Sequence, residues 1–425
     1  MNRSALARFL VVPALLASAT FAPGFVGAQD ATPGAESGAT PAAGMEMQAP
    51  PLPAGAEVVA DGLDNPRGLT FGPDGALWIA EAGGVGGADA GPCLTGPEGN
   101  DVCYNTTGAV TRVLDGQQER VATGIRSIGD AANGMNATGP HDLAFTADGS
   151  LYLLVGLGAD PAVRAENEGD QAQLGRLFQL DPATGELAEV ADVAGYETTN
   201  NPDGGALDSN PFALVAAADG SLAVVDAGSN ALYRVDLDGT ITTLAVFPDR
   251  MEFLPDGSAE IPMNAVPDAV AVGAGDDFYV GQLTGFPFPT GGANVYRVNS
   301  AGSDPVLHAE GFTNIIDVAF GANGDMYVLE YSAAGMLGMN PADPSTLGAL
   351  VRVTPDNQRT VLVSGLMTPT GLALGDDGSI YVANNGSSAG GGQVLRFGPE
   401  GSAGATGATP EADTMDVAPE ATPGM

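Results

Sequence analysis

The chain has 425 residues, with 14 Lys+Arg against 52 Asp+Glu and a formal net charge of -38, and every cation is an arginine because lysine is absent. Such a surface repels phosphate backbones and anionic membranes, which excludes nucleic acid as a partner, and it attracts divalent cations. Without lysine there is no Schiff-base or Walker-A chemistry; with only His141, His308, Cys93 and Cys103, a nitrogen- or sulfur-rich metal centre is excluded too, leaving the oxygen donors that hard cations such as Ca²⁺ prefer.

Arg3 and Arg8 precede the apolar run FLVVPALLASATFAPGFVGA, followed by small residues before Gln29. This pattern predicts a secretory signal peptide over 1–28, hence a secreted protein with no membrane span after cleavage. Residues 29–55, rich in Ala, Pro, Gly and Thr, read as a disordered linker, and 399–425 as a disordered acidic tail. Export permits a disulfide, and Cys93 and Cys103, in one Gly-rich loop, are its candidates.

Between these ends one phrase recurs six times: apolar strand, Asp-Gly-type turn, apolar strand. It reads GLTFGPDGALWIAE from Gly68, DLAFTADGSLYLLV from Asp142, ALVAAADGSLAVVD from Ala213, AVAVGAGDDFYVGQ from Ala269, DVAFGANGDMYVLE from Asp317 and GLALGDDGSIYVAN from Gly371. A lone hairpin cannot bury its apolar face, so six copies imply a closed array. Each copy is followed by a third strand with alternating Arg or Gln (AVTRVL, RLFQLD, ALYRVD, NVYRVN, ALVRVT, QVLRF), and all but the last by a fourth. The missing fourth strand has a match at the other end of the chain, where AEVVADGL resembles RTVLVSGL. The expected fold is an all-β, six-bladed β-propeller over 56–398, closed by an N-terminal strand.

Turns between first and second strands, and between third and fourth, are short throughout. The long connections, 83–108, 125–139, 156–174, 194–210, 248–265, 281–293 and 332–347, all fall on the opposite face. Function usually sits on elaborated loops carried by a rigid scaffold.

Polar residues recur at the strand ends on that face. Arg67, His141, Asp142, Asp268 and Asp317 open first strands; Glu81, Asp226, Gln282, Glu330 and Asn384 close second strands. Two readings stand side by side. In one, Glu81, Asp226, Asp268, Asp317, Glu330 and Asn384 converge as oxygen ligands of Ca²⁺ at the mouth of the central channel. In the other they cap strand ends by accepting backbone N–H bonds. Arg67, His141, Asp142 and Gln282 are candidate ligand-binding residues, joined by Phe286 and Phe288, whose rings alternate with prolines and could form an apolar shelf. His141 is the one residue placed for base work, against a structural role in its GPHD turn.

The phrases GPHDLAF, NPFALVAAADGSLAVVDAGSNALYRVD, LTGFPFPTGGANVYRV and GFTNIIDVAFGANGDMYVLEY resemble the ScyD/ScyE family of exported propellers, across about residues 56–398. The resemblance brings no catalytic residue set. A wider similarity links the hairpin phrase to NHL-repeat and gluconolactonase-like propellers. The latter hold a Ca²⁺-type ion through Glu and Asn or Asp at the channel mouth, which by strand position would be Glu81, Asp226 and Asn384. The expected function is a scaffold binding a small molecule or an extracellular protein on its loop-rich face, with a metal-dependent lactonase-like hydrolase as the alternative. A quinone-dependent sugar dehydrogenase fits poorly with the absence of lysine and a single well-placed histidine.

Overall fold

The computed structural model describes residues 51–84, 91–95, 101–167 and 172–399; the signal-peptide stretch, most of the linker and nearly all of the tail lie outside them. Six antiparallel sheets form six blades. Their first strands, Pro66–Phe71, Pro140–Phe145, Pro211–Ala216, Pro267–Val272, Ile315–Phe320 and Gly371–Leu374, each pack against the next and close a ring around a central channel.

Closure works as the sequence predicts. The strand Glu57–Leu63 pairs antiparallel with Gly392–Phe397 and becomes the fourth strand of blade 6. The second strands explain the continuous apolar runs. Leu77–Glu81, Leu151–Val155, Leu222–Asp226, Phe278–Gln282 and Met326–Glu330 are buried at every position, because each is sandwiched between two neighbouring blades. Successive side chains serve alternate interfaces: Trp78 and Ala80 pack toward blade 2, while Leu77 and Ile79 pack toward blade 6. The core is therefore divided into six apolar clusters, one at each junction of adjacent blades.

The third-strand arginines also find a reason. Arg112, Arg234, Arg297, Arg352 and Arg396 reach the acidic residue of their own blade's first turn: Asp74, Asp219, Asp277, Asp325 and Asp377. Much of the chain's positive charge is thus placed on the short-turn face.

Several stretches that read as loops carry regular structure. In blade 1 the third and fourth strands run on as a long ribbon, Asp101–Leu114 with Gln117–Asp130. A short strand Cys93–Thr95 pairs with that ribbon, with Cys93 directly opposite Cys103 and disulfide-bonded to it. The connection into blade 3 holds the helix Val193–Asn200, capped by Asp192, and the one into blade 4 holds a hairpin, Arg250–Phe253 with Glu260–Met263. Periodicity missed these because the segments are short and polar, and tertiary contacts stabilise them. Among the described residues no helix is long and apolar enough to cross a membrane.

Candidate functional site

The channel mouth is built by one repeated irregularity. In blades 1 to 5 the register between first and second strands slips just after the first residue, at Pro66, Pro140, Pro211, Pro267 and Ile315. A bulge breaks strict alternation and re-aims the extra side chain. Arg67, His141, Phe212, Asp268 and Ile316 occupy these positions, and all but Phe212 are buried.

Most second-strand ends have the capping role. Glu81 accepts the Asp64 N–H at 2.7 Å, Asp226 the Asn210 N–H at 2.7 Å, Glu330 the Thr313 N–H at 2.8 Å and Asn384 the Met367 N–H at 2.8 Å. In each case the donor lies just before the same blade's first strand, so the side chain pins the incoming loop. Glu81 also receives Arg120 and the Thr111 hydroxyl; Asp226 also receives the Ser209 hydroxyl at 2.6 Å and the Gly228 and Ser229 N–H groups. These oxygens are therefore turned to the backbone rather than to a common centre. Among the described residues no three His, Cys, Asp or Glu side chains are placed to hold one ion.

Asp142 and Asp317 occupy equivalent positions in blades 2 and 5 and clasp the next blade. Asp142 accepts the Leu143 and Leu214 N–H groups, both at 2.8 Å, and Asp317 accepts those of Val318 and Leu372, both at 2.7 Å. Enclosure by protein raises both carboxyls: Asp317 to about 7, and Asp142 well above the usual range, with Asp317's charge adding to the effect. His141 directs Nδ1 to the Pro211 carbonyl at 3.1 Å and packs at a tilt against Phe212, with ring centroids 4.8 Å apart. Burial, aided by the Arg67 charge, lowers it to about 3. A neutral ring held by a neighbouring blade's carbonyl is a fastener, not a base poised for neutral pH.

Arg67 spans the mouth. Its guanidinium donates to the carbonyls of Gly386 in blade 6, Ala137 before blade 2 and its own neighbour Pro66. Burial pulls its pKa down to about 10. Beside it stands Tyr331, 5% exposed, its hydroxyl 3.4 Å from that of Ser387. Tyr331 was not singled out from the sequence; its position directly after Glu330 at a second-strand end was the available signal.

Blade 4 departs from the pattern. Gln282 pairs across the strands with Pro267, yet its Oε1 caps nothing. The Oδ1 of Asp268, next to Pro267, and the hydroxyl of Thr284, two residues past Gln282, also have no hydrogen-bond partner in the protein. Asp268, Gln282 and Thr284 are 2%, 1% and 0% exposed. Burial alone pushes Asp268 well above the usual carboxylate range. The adjoining loop separates the two phenylalanines. Phe288 is packed into the core with Leu283, Tyr331 and Met336, while Phe286 remains 41% exposed. The expected two-ring shelf is a single ring, meeting Phe288 edge-on with centroids 6.2 Å apart.

No protein-family model matches the chain, and no curated protein matches it. Solved structures share its architecture. The catalytically inactive virginiamycin B lyase of Staphylococcus aureus with quinupristin is 13% identical, covering 80% of this chain and 97% of that one at a TM-score of 0.44. The PQQ-bound aldose sugar dehydrogenase of Streptomyces coelicolor is 12% identical, with coverage of 82% and 99% and a TM-score of 0.47. The calcium-binding protein regucalcin of Agrobacterium tumefaciens is 15% identical, with coverage of 81% and 93% and a TM-score of 0.41. At these identities the similarity concerns the fold and not the chemistry.

Proposed function

We propose that this chain is an exported propeller of the ScyD/ScyE type that binds a small, hydroxyl-rich molecule at its channel mouth, with no reaction assigned. The observation that supports it is the trio of unpartnered acceptors in blade 4: Asp268 Oδ1, Gln282 Oε1 and Thr284 Oγ1. A buried acceptor without a donor costs about 1–3 kcal/mol, and a ligand supplying donors recovers that cost. The exposed ring of Phe286, on the same loop, offers an apolar surface beside them. The hydrolase reading has less support, since Glu81, Asp226 and Asn384 are engaged as caps and His141 is held neutral against Pro211.

Calorimetric titration with glucose, inositol and glucono-1,5-lactone, with base consumption followed for the lactone, tests both readings. Binding without turnover, weakened at least tenfold by Asp268→Asn or Gln282→Leu, is expected. Steady acid release from the lactone would favour the hydrolase. No heat with any probe would overturn the site.

A further inference from the structure

A second group of unpartnered oxygens lies on the same face but away from the axis, where the loops of blades 2 and 3 meet. The helix Val193–Asn200 carries Glu197, which is 0% exposed; neither carboxylate oxygen makes a well-formed hydrogen bond, and the Tyr233 hydroxyl acts on it only weakly. The nearby Tyr233 hydroxyl is bonded to Ser229 Oγ at 2.6 Å. One turn on, Asn201 caps the helix: its N–H donates to the Glu197 carbonyl at 2.8 Å and its side-chain amide to the Gly205 carbonyl at 3.1 Å, leaving its own Oδ1 buried and unpartnered. In the loop that follows, Asp208 Oδ1 is in the same condition.

The charges that act on these two carboxyls are negative. Asp203, Asp208 and Asp226 are close enough to Glu197 to oppose its ionisation, and Asp160, Asp203 and Asp226 oppose that of Asp208. Among the described residues the side-chain donors to these five carboxylates are all neutral: Ser209 to Asp226, Asn230 to Asp203 and, weakly, Tyr233 to Glu197. Arg164 and Arg176 pair with Asp192 at the start of the helix, and among the described residues no arginine pairs with Glu197 or Asp208. A loop that buries acceptors and like charges without a cation is complete only when a cation or protons are added.

We infer that this cluster of oxygens is a calcium site, with Glu197, Asp208 and the Asn201 side-chain oxygen as its protein ligands. Two carboxylates and an amide oxygen, with water or backbone carbonyls completing six to eight oxygens, suit Ca²⁺ and not a nitrogen- or sulfur-seeking metal. Asp226 is a positioning residue: it fixes the backbone at Asn210, Gly228 and Ser229, and with it the loop that presents Asp208. Bound calcium would tie the blade 2 helix to the blade 3 loop.

The test is calorimetric titration of the full chain with CaCl₂ and with MgCl₂ at neutral pH, alongside melting curves in chelator. One Ca²⁺ per chain is expected, bound at least tenfold more tightly than Mg²⁺. Glu197→Gln keeps the shape and removes the need to protonate a buried carboxyl on folding, so it should fold, melt above the wild type in chelator, and lose Ca²⁺ affinity at least tenfold. Asp256→Asn, an exposed turn carboxylate, should leave the titration unchanged. Equal Ca²⁺ binding by wild type and Glu197→Gln, equal Ca²⁺ and Mg²⁺ responses, or no binding would overturn the site and assign protons to these carboxyls.

Discussion

Gly68 and Asp142 show how closely the residues at the channel wall are fitted. A Cβ at Gly68 would lie 1.9 Å from Asp142 Oδ1 and 2.9 Å from its Cα, so the contact cannot be relieved by side-chain rotation alone. Gly68→Ala should destabilise by about 1–3 kcal/mol in a denaturant melt, with larger residues costing more. The buried carboxyls set a pH dependence of their own. Asp208 and Asp317 are raised to about 7 and Glu197 to about 8, above the values of an unfolded chain near 4. The folded state thus holds protons that the unfolded state has released. This contribution to stability is complete below about pH 4 and is lost as the pH climbs through 7 and 8. His141, lowered to about 3, acts oppositely below its ordinary value near 6.5. Between pH 8 and 6.5 the carboxyls dominate, so the melting temperature in chelator should rise as the pH falls across that window. A flat or inverted profile there would contradict the proton assignments.

Among the elements, the closing strand carries the clearest consequence. Among the described residues Glu57–Leu63 is the strand that covers the outer edge of Gly392–Phe397, and it buries Ala60 and Leu63 at the junction of blades 6 and 1. Deleting 56–63 should expose a strand edge and leave that interface short of apolar contacts, giving aggregation or loss of a single cooperative transition. A truncated chain melting like the full one would show that the ring closes without it. The disulfide is a smaller matter. It joins the strand Cys93–Thr95 to the blade 1 ribbon and closes a short loop, so Cys93→Ser with Cys103→Ser should cost about 3 kcal/mol or slightly less. Peripheral placement confines the effect to the ribbon, which native-state hydrogen exchange would report as faster exchange over 101–105 with the blades unchanged.

For the whole molecule, charge is distributed unevenly over a uniform scaffold. Five blades neutralise their first-turn acid with a third-strand arginine; the pairs at Asp74, Asp219 and Asp377 are solvent-exposed and individually contribute little, while Asp277 and Asp325 are buried. The remaining excess of a chain at -38 repels itself. Raising monovalent salt from about 0.01 M to about 0.15 M shortens the screening length from about 30 Å to about 8 Å and should raise the melting temperature. The same change in ionic strength should leave the Glu197→Gln difference largely intact, because buried charges are screened less.

The sequence by itself determined the propeller, its blade number, the closing strand, the disulfide and the face that carries the long loops. The fold, its closure and the loop-rich face follow from local periodicity and from counting repeats, the apolar second strands fit burial on both sides, and the disulfide follows from two cysteines in one loop of a chain that reads as exported. What each strand-end side chain does was decided only by tertiary structure. Glu81, Asp226, Glu330 and Asn384 look alike along the chain whether they hold an ion or a backbone N–H, and the choice depends on loops folding back from before the first strand. The unpartnered oxygens of Asp268, Gln282, Thr284, Glu197, Asn201 and Asp208 were equally illegible, because a missing partner is a property of the assembled surroundings. Periodicity fixes which face a side chain takes; only packing between blades fixes which hydrogen bonds are left to a ligand.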